Sequence, residues 1–564
     1  MASKKKQSAP EKKQPQPSAG GKVMSVYNFM EEFLQARSNT LFYILLGISF
    51  ISGLVLFDMR LSIGGDDATY IQRAHDFLKK GIFPFEQGPL YPLTLSIFVK
   101  LFGINLFVLK FVSCLFLNLA FFFTYKALKG RIPYLLLFLL LSFMALNAFY
   151  QYFASVTYTE AFFLLMQSVA ILFSLKLIDL SNTQKLNYKT DWKLVLLVGL
   201  FYLLISLTKT VAIICVFPLF AYFMLQKKWD YVIGSFAAFA GLKILYELTV
   251  RSIYGAPDVG QFQSMFLVDL YKPQLGYETA GGMITRFFDN ANTYLSARFF
   301  SIIYLRSFQE NFIAVIPSLA YFLLALIAGF TYLAYLRNKV VFFISLYVLS
   351  LIGAVFFGIQ SKNTQWRLII IIVPYLILLF MFGFYQLTRK EVVLQVLFIG
   401  FFGFIIVSSL YNTAVKSATN FPILKENMKG NRYAGFTPDW VNYLRASEWC
   451  GDSIPEGEGI IARKHSMSFI YGNGREFTPI YQVPAYTKDS IITPDSMMTF
   501  VQQYHCKYVI LAQLRANPLK KDPNQIVNTI NVIMGRIHDK YPEKFKLVHS
   551  EGKDEMAEVY EMLF

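Results

Sequence analysis

The chain has 564 residues, of which 55% are hydrophobic and 16% charged, and its mean hydropathy is +0.43; soluble proteins of this length are far more polar, so the class is polytopic membrane protein. The net charge of +17 lies mostly in tails and loops, as positive-inside topology demands, and calls for no nucleic-acid partner. Four cysteines are too few for a disulfide scaffold.

Residues 1–40 read as a basic cytoplasmic tail. Its stretch rich in Lys, Pro, Gln and Ser, from Ala2 to Lys22, is expected to be disordered and too polar for a cleavable signal. A membrane domain follows over 41–411. Apolar runs of spanning length lie near 41–57, 105–128, 132–150, 161–178, 194–208, 210–225, 231–250, 313–336, 340–358, 368–387 and 392–411, about eleven in all. Thr208-Lys209-Thr210 reads as a tight turn between two short spans. With this count every basic segment falls on one side: the tail, Lys129 to Arg131, Lys185 to Lys193, Lys227-Lys228, Arg337 to Lys339 and Arg389-Lys390. The N-terminus is therefore expected in the cytoplasm and the C-terminus outside. The outer face then carries loop 58–103, the link Tyr150 to Glu160 and loop 251–312, where Ile284 to Phe300 is amphipathic and suits an interfacial helix. Residues 412–564 read as a soluble α/β module. Its strand-like runs are Gly459 to Ala462, Ser468 to Tyr471, Tyr508 to Leu511 and Lys546 to Val548, with helices over 436–450, 494–504 and 524–541. Cys450 and Cys506 in this module either pair or remain free thiols; Cys114 and Cys215 lie in apolar runs and read as packing residues.

Just past the first apolar run stands Gly64-Gly65-Asp66-Asp67-Ala68-Thr69-Tyr70. Ionisable groups beside hydrocarbon are costly and usually functional, and capping a helix at Ala68 would need only one of the two acids. Downstream come His75 and Gln87-Gly88-Pro89-Leu90-Tyr91-Pro92-Leu93, and a further acid, Glu160, sits in Thr157-Tyr158-Thr159-Glu160. Outer cations include Lys209, Lys362 and Arg367, the last two in Ser361-Lys362-Asn363-Thr364-Gln365-Trp366-Arg367.

Together these features resemble the GT-C superfamily of polyprenyl-phosphate-sugar glycosyltransferases, which includes protein O-mannosyltransferases and the lipid A aminoarabinose transferase. The resemblance covers the first 410 residues in topology and is strongest over 58–103 and 150–165; the outer α/β module also resembles those of many bacterial members. It implies an α-helical protein of the plasma (inner) membrane that moves a sugar, with inversion, from a polyprenyl-monophosphate donor to an extracytoplasmic hydroxyl or phosphate. The acceptor is a glycan, a glycolipid or a protein. By this resemblance Asp66 is the catalytic base or its electrostatic equivalent, Asp67 takes the second place of the acid pair and Glu160 matches a second outer acid. Arg367, ahead of Pro374, is implied to meet donor phosphate, with Lys362 and Lys209 as second choices. Tyr70, His75, Gln87 and Tyr91 belong to the donor and acceptor loop. Gln87 stands where several members have His or Lys, and Gly88 replaces the first Pro of a Pro-Pro-Leu motif. Asp66, Asp67 and Glu160 have the chemistry to hold a divalent metal, and the resemblance implies neither its presence nor its absence. Two other functions stay open: a flippase or transporter of a lipid-linked sugar, which would be expected to show internal repeats and mid-membrane charges, and a polysaccharide polymerase or ligase using a lipid-diphosphate donor.

Overall fold

Apolar segments in this chain become helices because only helices satisfy their own backbone groups in lipid. The computed structural model describes residues 25–255, 265–269, 275–308, 314–360, 365–479, 494–514 and 529–563. It begins with α1 (Val26–Ala36) and α2 (Ser38–Val55), then passes through a polar loop to α3 (Asp66–Lys80) and α4 (Leu90–Phe102). Next come α5 (Leu106–Leu128), α6 (Tyr134–Leu146), α7 (Ala148–Tyr152), α8 (Thr159–Thr183) and α9 (Trp192–Thr208). A 3-10 segment (Thr210–Val216) leads into α10 (Phe217–Leu225) and α11 (Trp229–Tyr254). Then follow α12 (Ala280–Thr293), a π segment (Tyr294–Arg298), α13 (Phe299–Ile302), α14 (Pro317–Arg337), α15 (Lys339–Gly358), α16 (Arg367–Ile370), α17 (Val373–Thr388) and α18 (Val392–Met428). Seven of these (α2, α5, α8, α11, α14, α15 and α18) are long and apolar enough to cross a membrane, and shorter apolar helices pack among them. The chain is a multi-pass membrane protein.

Three segments before the C-terminal module differ from the sequence reading. The assigned tail ends in α1, because Tyr27, Met30 and Leu34 recur at helical spacing and Tyr27 and Leu34 are buried against the bundle. The run 132–150 is broken at Asn147, which adopts extended backbone, accepts from Phe149 N–H at 2.9 Å and donates to the Ile302 carbonyl at 2.8 Å. The last run continues past 411 to Met428, so the outer domain starts later than 412. The extension is anchored by polar contacts: Thr413 Oγ1 donates to the Leu146 carbonyl at 2.6 Å and Asn420 Nδ2 to the Phe57 carbonyl at 2.8 Å.

The basic loops meet at one end of the bundle. Glu31 accepts from Tyr134 N–H at 2.7 Å, Asn338 Nδ2 donates to the Arg131 carbonyl at 3.2 Å, Lys339 Nζ donates to Asn182 at 2.9 Å and Asp230 accepts from Leu186 N–H at 2.7 Å. The acid pair lies beyond the other end, at the N-terminal side of the 25-residue α8, which is about 37 Å long at 1.5 Å per residue. The amphipathic stretch is helical as expected. Ile284 and Phe288 are exposed while Arg286 and Asn290 turn inward, and Asn290 Nδ2 donates to the Phe356 carbonyl of α15 at 2.8 Å.

Past α18, the outer module contains α19 (Pro438–Ser453), β1 (Gly459–Ala462), α20 (His465–Tyr471), β2 (Thr478–Pro479), α21 (Pro494–Gln503), β3 (Cys506–Ala512), α22 (Thr529–Lys540), β4 (Phe545–Glu551) and β5 (Ala557–Met562). The sheet order is β2-β1-β3-β5-β4; β1 runs parallel to β2 and β3, and β5 antiparallel to β3 and β4. Ser468 to Tyr471, read as a strand, is the end of α20: a four-residue apolar run fits a buried helix as well as a strand. Cys450 and Cys506 are buried free thiols.

Candidate active site

The acid loop is held from beneath. Lys110, an α5 lysine with no exposed side-chain surface, donates to the Asp58 carbonyl at 2.7 Å and to the Arg60 carbonyl, and its ammonium lies 3.5 Å from the Asp58 carboxylate. Arg60 pairs with Asp58 at 3.0 Å and reaches the Gly435 carbonyl at 2.7 Å. Burial would raise the Asp58 carboxyl, but Lys110 and Arg60 outweigh it and hold that group below its ordinary value. The loop then turns at Gly65, whose φ of 87° is the left-handed region that glycine enters freely. Gly65 is the N-cap residue of α3, so both acids stand in the first helical turn, where the helix dipole favours negative charge.

The two acids do different work. Asp67 is fully buried and accepts from Ser62 N–H and Ser62 Oγ at 2.8 Å each and from Ala68 N–H at 2.9 Å. Burial pushes its carboxyl up from the usual range despite those donors. Its oxygens are committed to shaping the turn. Asp66 is partly exposed and its carboxylate meets the Arg367 guanidinium. Arg367 also donates from Nε to Gln365 at 2.7 Å and lies 5.1 Å from the Tyr158 ring centroid. Burial disfavours the Arg367 cation, but Glu160 and Asp66 outweigh that and hold it above its ordinary value. Tyr158 shares a 2.6 Å hydrogen bond with Ser62, tying the Asp67 turn to the Arg367 platform.

Glu160 opens α8 and is 1% exposed. One of its oxygens accepts from Lys209 Nζ at 2.8 Å, and the other has no hydrogen-bond donor among the described residues. Lys209 is the extended residue between α9 and the 3-10 segment. Gly88 is pressed against its neighbour: with φ at 93°, a Cβ there would stand 2.3 Å from the Thr208 carbonyl oxygen. Gly88→Ala is therefore expected to displace the Thr208–Lys209 turn, destabilising the protein by roughly 1–3 kcal/mol and lowering turnover. Thermal unfolding and a transfer assay on that variant check this; wild-type values in both would show that the contact is not needed.

The remaining expected residues separate. Tyr70 and Tyr91 are buried and meet edge to face at 5.3 Å, as packing beneath α3 rather than an open surface. His75 faces Phe469 of the outer module at 5.0 Å. Gln87 lies on an exposed turn with φ at 59°. Lys362 lies outside the described residues.

Sequence reasoning missed Lys110, Tyr158 and, from the outer module, Lys464. The loop after β1 docks on the acid helix. Lys464 Nζ donates to the Gly64 carbonyl at 3.2 Å, its side chain lies against Gly65, and Thr69 Oγ1 bonds Ser466 at 3.3 Å. Burial and the neighbouring Arg463 bring the Lys464 ammonium down to about 8, against the pull of Asp66 and Asp67. His465 is held at about 4 by burial and by Lys464, Arg73 and Arg463. Among the described residues no group of three or more His, Cys, Asp or Glu is disposed to hold a metal ion. A metal on Asp66 and Glu160 would have to displace Arg367 and Lys209, and Asp67 is spent on the turn. The donor set as arranged does not fit a resident cation.

No family model and no curated protein matches the sequence. Solved structures match in fold. The archaeal oligosaccharyltransferase AglB from Archaeoglobus fulgidus, in complex with an inhibitory peptide and a dolichol-phosphate, superposes with a TM-score of 0.53 at 11% identity, over 84% of this chain and 70% of that one. ArnT from Cupriavidus metallidurans bound to undecaprenyl phosphate superposes with a TM-score of 0.52 at 11% identity, over 92% of this chain and 97% of that one. The chain shares its fold with these two structures, as the sequence resemblance implies.

Proposed function

We propose that this protein is a membrane glycosyltransferase that moves a sugar from a polyprenyl-monophosphate donor to a hydroxyl or phosphate acceptor at the extracytoplasmic face. The observation that carries the reading is the convergence of Asp66, Arg367, Glu160, Lys209 and Lys464 at the end of the bundle opposite the basic loops. Positive-inside bias makes that end extracytoplasmic, where a lipid-linked donor presents its head group while its chain stays in the bilayer.

The chemistry follows from the pairing. A donor phosphate competes with Asp66 for Arg367 and, on binding, leaves the Asp66 carboxylate free to accept the acceptor proton. The acceptor oxygen then attacks the anomeric carbon from the face opposite the phosphate, the carbon–oxygen bond to phosphate breaks, and the phosphate departs with the bonding electrons. The configuration is inverted. Arg367, Lys209 and Lys464 stabilise the charge gathering on the leaving group. Asp67 positions the turn, and Glu160 fixes Lys209. No metal enters this step.

Lys464 gives the reaction a pH signature. Arg463, Asp66 and Asp67 face its ammonium, which is charged below about pH 8 and neutral above it, so donor affinity is expected to fall as pH rises through that value. His465 stays neutral there and does not contribute the limb. Lys464→Arg keeps its charge and moves the loss of affinity to higher pH; an unchanged alkaline limb in that variant would show that Lys464 does not meet the donor.

The deciding experiment places purified protein in liposomes with a radiolabelled polyprenyl-monophosphate sugar and a mixed acceptor extract. Release of polyprenyl monophosphate with label on an acceptor is the expected result. Label crossing the bilayer uncleaved would make the protein a flippase, and activity only with a lipid-diphosphate sugar would make it a polymerase or ligase.

A further inference from the structure

A cavity of about 610 Å³ opens at the same end of the bundle between α7, the turn after α13 and α18. Phe149, Tyr304, Arg306, Phe308, Tyr411 and Lys416 line it, and among the described residues neither Asp66, Glu160 nor any other acid does. An aromatic wall divides it from the site above: Phe149 packs on Trp366 at 4.9 Å, Trp366 on Phe153 at 5.3 Å, and Phe153 on Tyr158 at 6.4 Å.

Its chemistry is amphipathic. The Lys416 ammonium sits 4.9 Å from the Phe149 ring, and Arg306 donates to the Ser296 carbonyl at 3.3 Å. Among the described residues neither cation has a carboxylate partner. Beside them the cavity reaches the outer surface of α18, where Val407 is 64% and Tyr411 68% exposed. This is the depth at which Tyr marks the membrane interface, so the two cations stand where a lipid phosphate lies. Tyr304 is held with φ at 59°, a strained backbone for a residue with a Cβ. The volume suits a head group and glycerol unit.

We propose that this cavity binds an anionic phospholipid, with Arg306 and Lys416 on its phosphate and its acyl chains along the Val407–Tyr411 face of α18. The site is separate from the donor site and requires no turnover.

The test uses the full-length protein in detergent, titrated with phosphatidic acid or phosphatidylcholine, with bound lipid counted by native mass spectrometry. The expected result is one phosphatidic acid retained in preference to phosphatidylcholine, with retention falling as salt is raised. The double variant Arg306→Gln, Lys416→Gln should need about tenfold more phosphatidic acid or worse, while Arg306→Lys with Lys416→Arg retains it. Asp66→Asn should keep the lipid, so failure here is distinguishable from failure of the transferase reading. Equal retention of phosphatidylcholine, or salt-independent retention by the wild type, would overturn the proposal whether or not the glutamine pair folds. So would displacement by inorganic phosphate at the lipid's own concentration, which would reveal a free-anion site.

Discussion

Asp66→Asn is expected to lower turnover by roughly 10²–10⁴-fold, the usual worth of a positioned general base, with donor affinity unchanged or improved. The sign of the second effect is the informative one. In the donor-free protein Asp66 occupies Arg367, so a phosphate must displace a carboxylate to bind. Asparagine is nearly the same size and carries no charge, and it leaves Arg367 more available. Arg367→Lys should do the reverse: it keeps one charge but loses the planar fork, so donor KM rises while the base stays in place. Stability should change little in Asp66→Asn, because the Arg367 and Asp66 side chains keep 25% and 31% of their surface exposed, so solvent still screens the pair. Steady-state kinetics over a range of donor concentrations separate the two effects. An Asp66→Asn protein within a few-fold of wild-type turnover would remove Asp66 from the reaction and leave the acid–arginine contact as a structural ion pair.

How much of this site could be read from the chain follows from where each contact lies. Asp66, Asp67, Glu160, Lys209 and Arg367 are all legible, because each is an ionisable residue at the end of an apolar run, and such ends meet at one depth whatever the helix packing. The division of labour within the acid pair is not legible. The sequence suggests two similar carboxylates; three donors from Ser62 and Ala68 spend one of them, and only the turn geometry reveals it. Lys464 belongs to the outer module, 400 residues from the Gly64 carbonyl it meets, and nothing local to Arg463-Lys464-His465 marks it. Asn147 splits a helix without Gly or Pro, through a side chain that bonds elsewhere in the fold. The helix at 26–36 adjoins a polar tail whose composition hides it, although its Tyr27, Met30 and Leu34 spacing is a usable signal. Lys110 looks like an ordinary snorkelling lysine near the start of a span. It is the reverse: its ammonium turns inward.

That inward lysine carries the largest structural expectation. Lys110→Met should destabilise the protein by roughly 3 kcal/mol, the penalty for removing one member of a buried ionic cluster. The methionine fills the space but strands the Asp58 and Arg60 carbonyls and weakens the hold on the Asp58 carboxylate, which Arg60 alone then faces. The consequence reaches the chemistry through a short path. The loop is strung between Lys110 on α5 and the end of α18, where Asn427 accepts from Met59 N–H at 3.0 Å. Releasing the α5 side lets Ser62 drift, and with it the Asp67 turn that sets the height of Asp66. Turnover should therefore fall together with the unfolding temperature in detergent, whereas Asp66→Asn loses turnover alone. Adding Asp58→Asn to Lys110→Met removes the stranded charge and should recover part of the stability, giving a coupling energy by double-mutant cycle. A Lys110→Met protein that melts at the wild-type temperature, or a double variant no more stable than the single one, would mean that the loop is held by α18 and that the buried ammonium contributes nothing to the site.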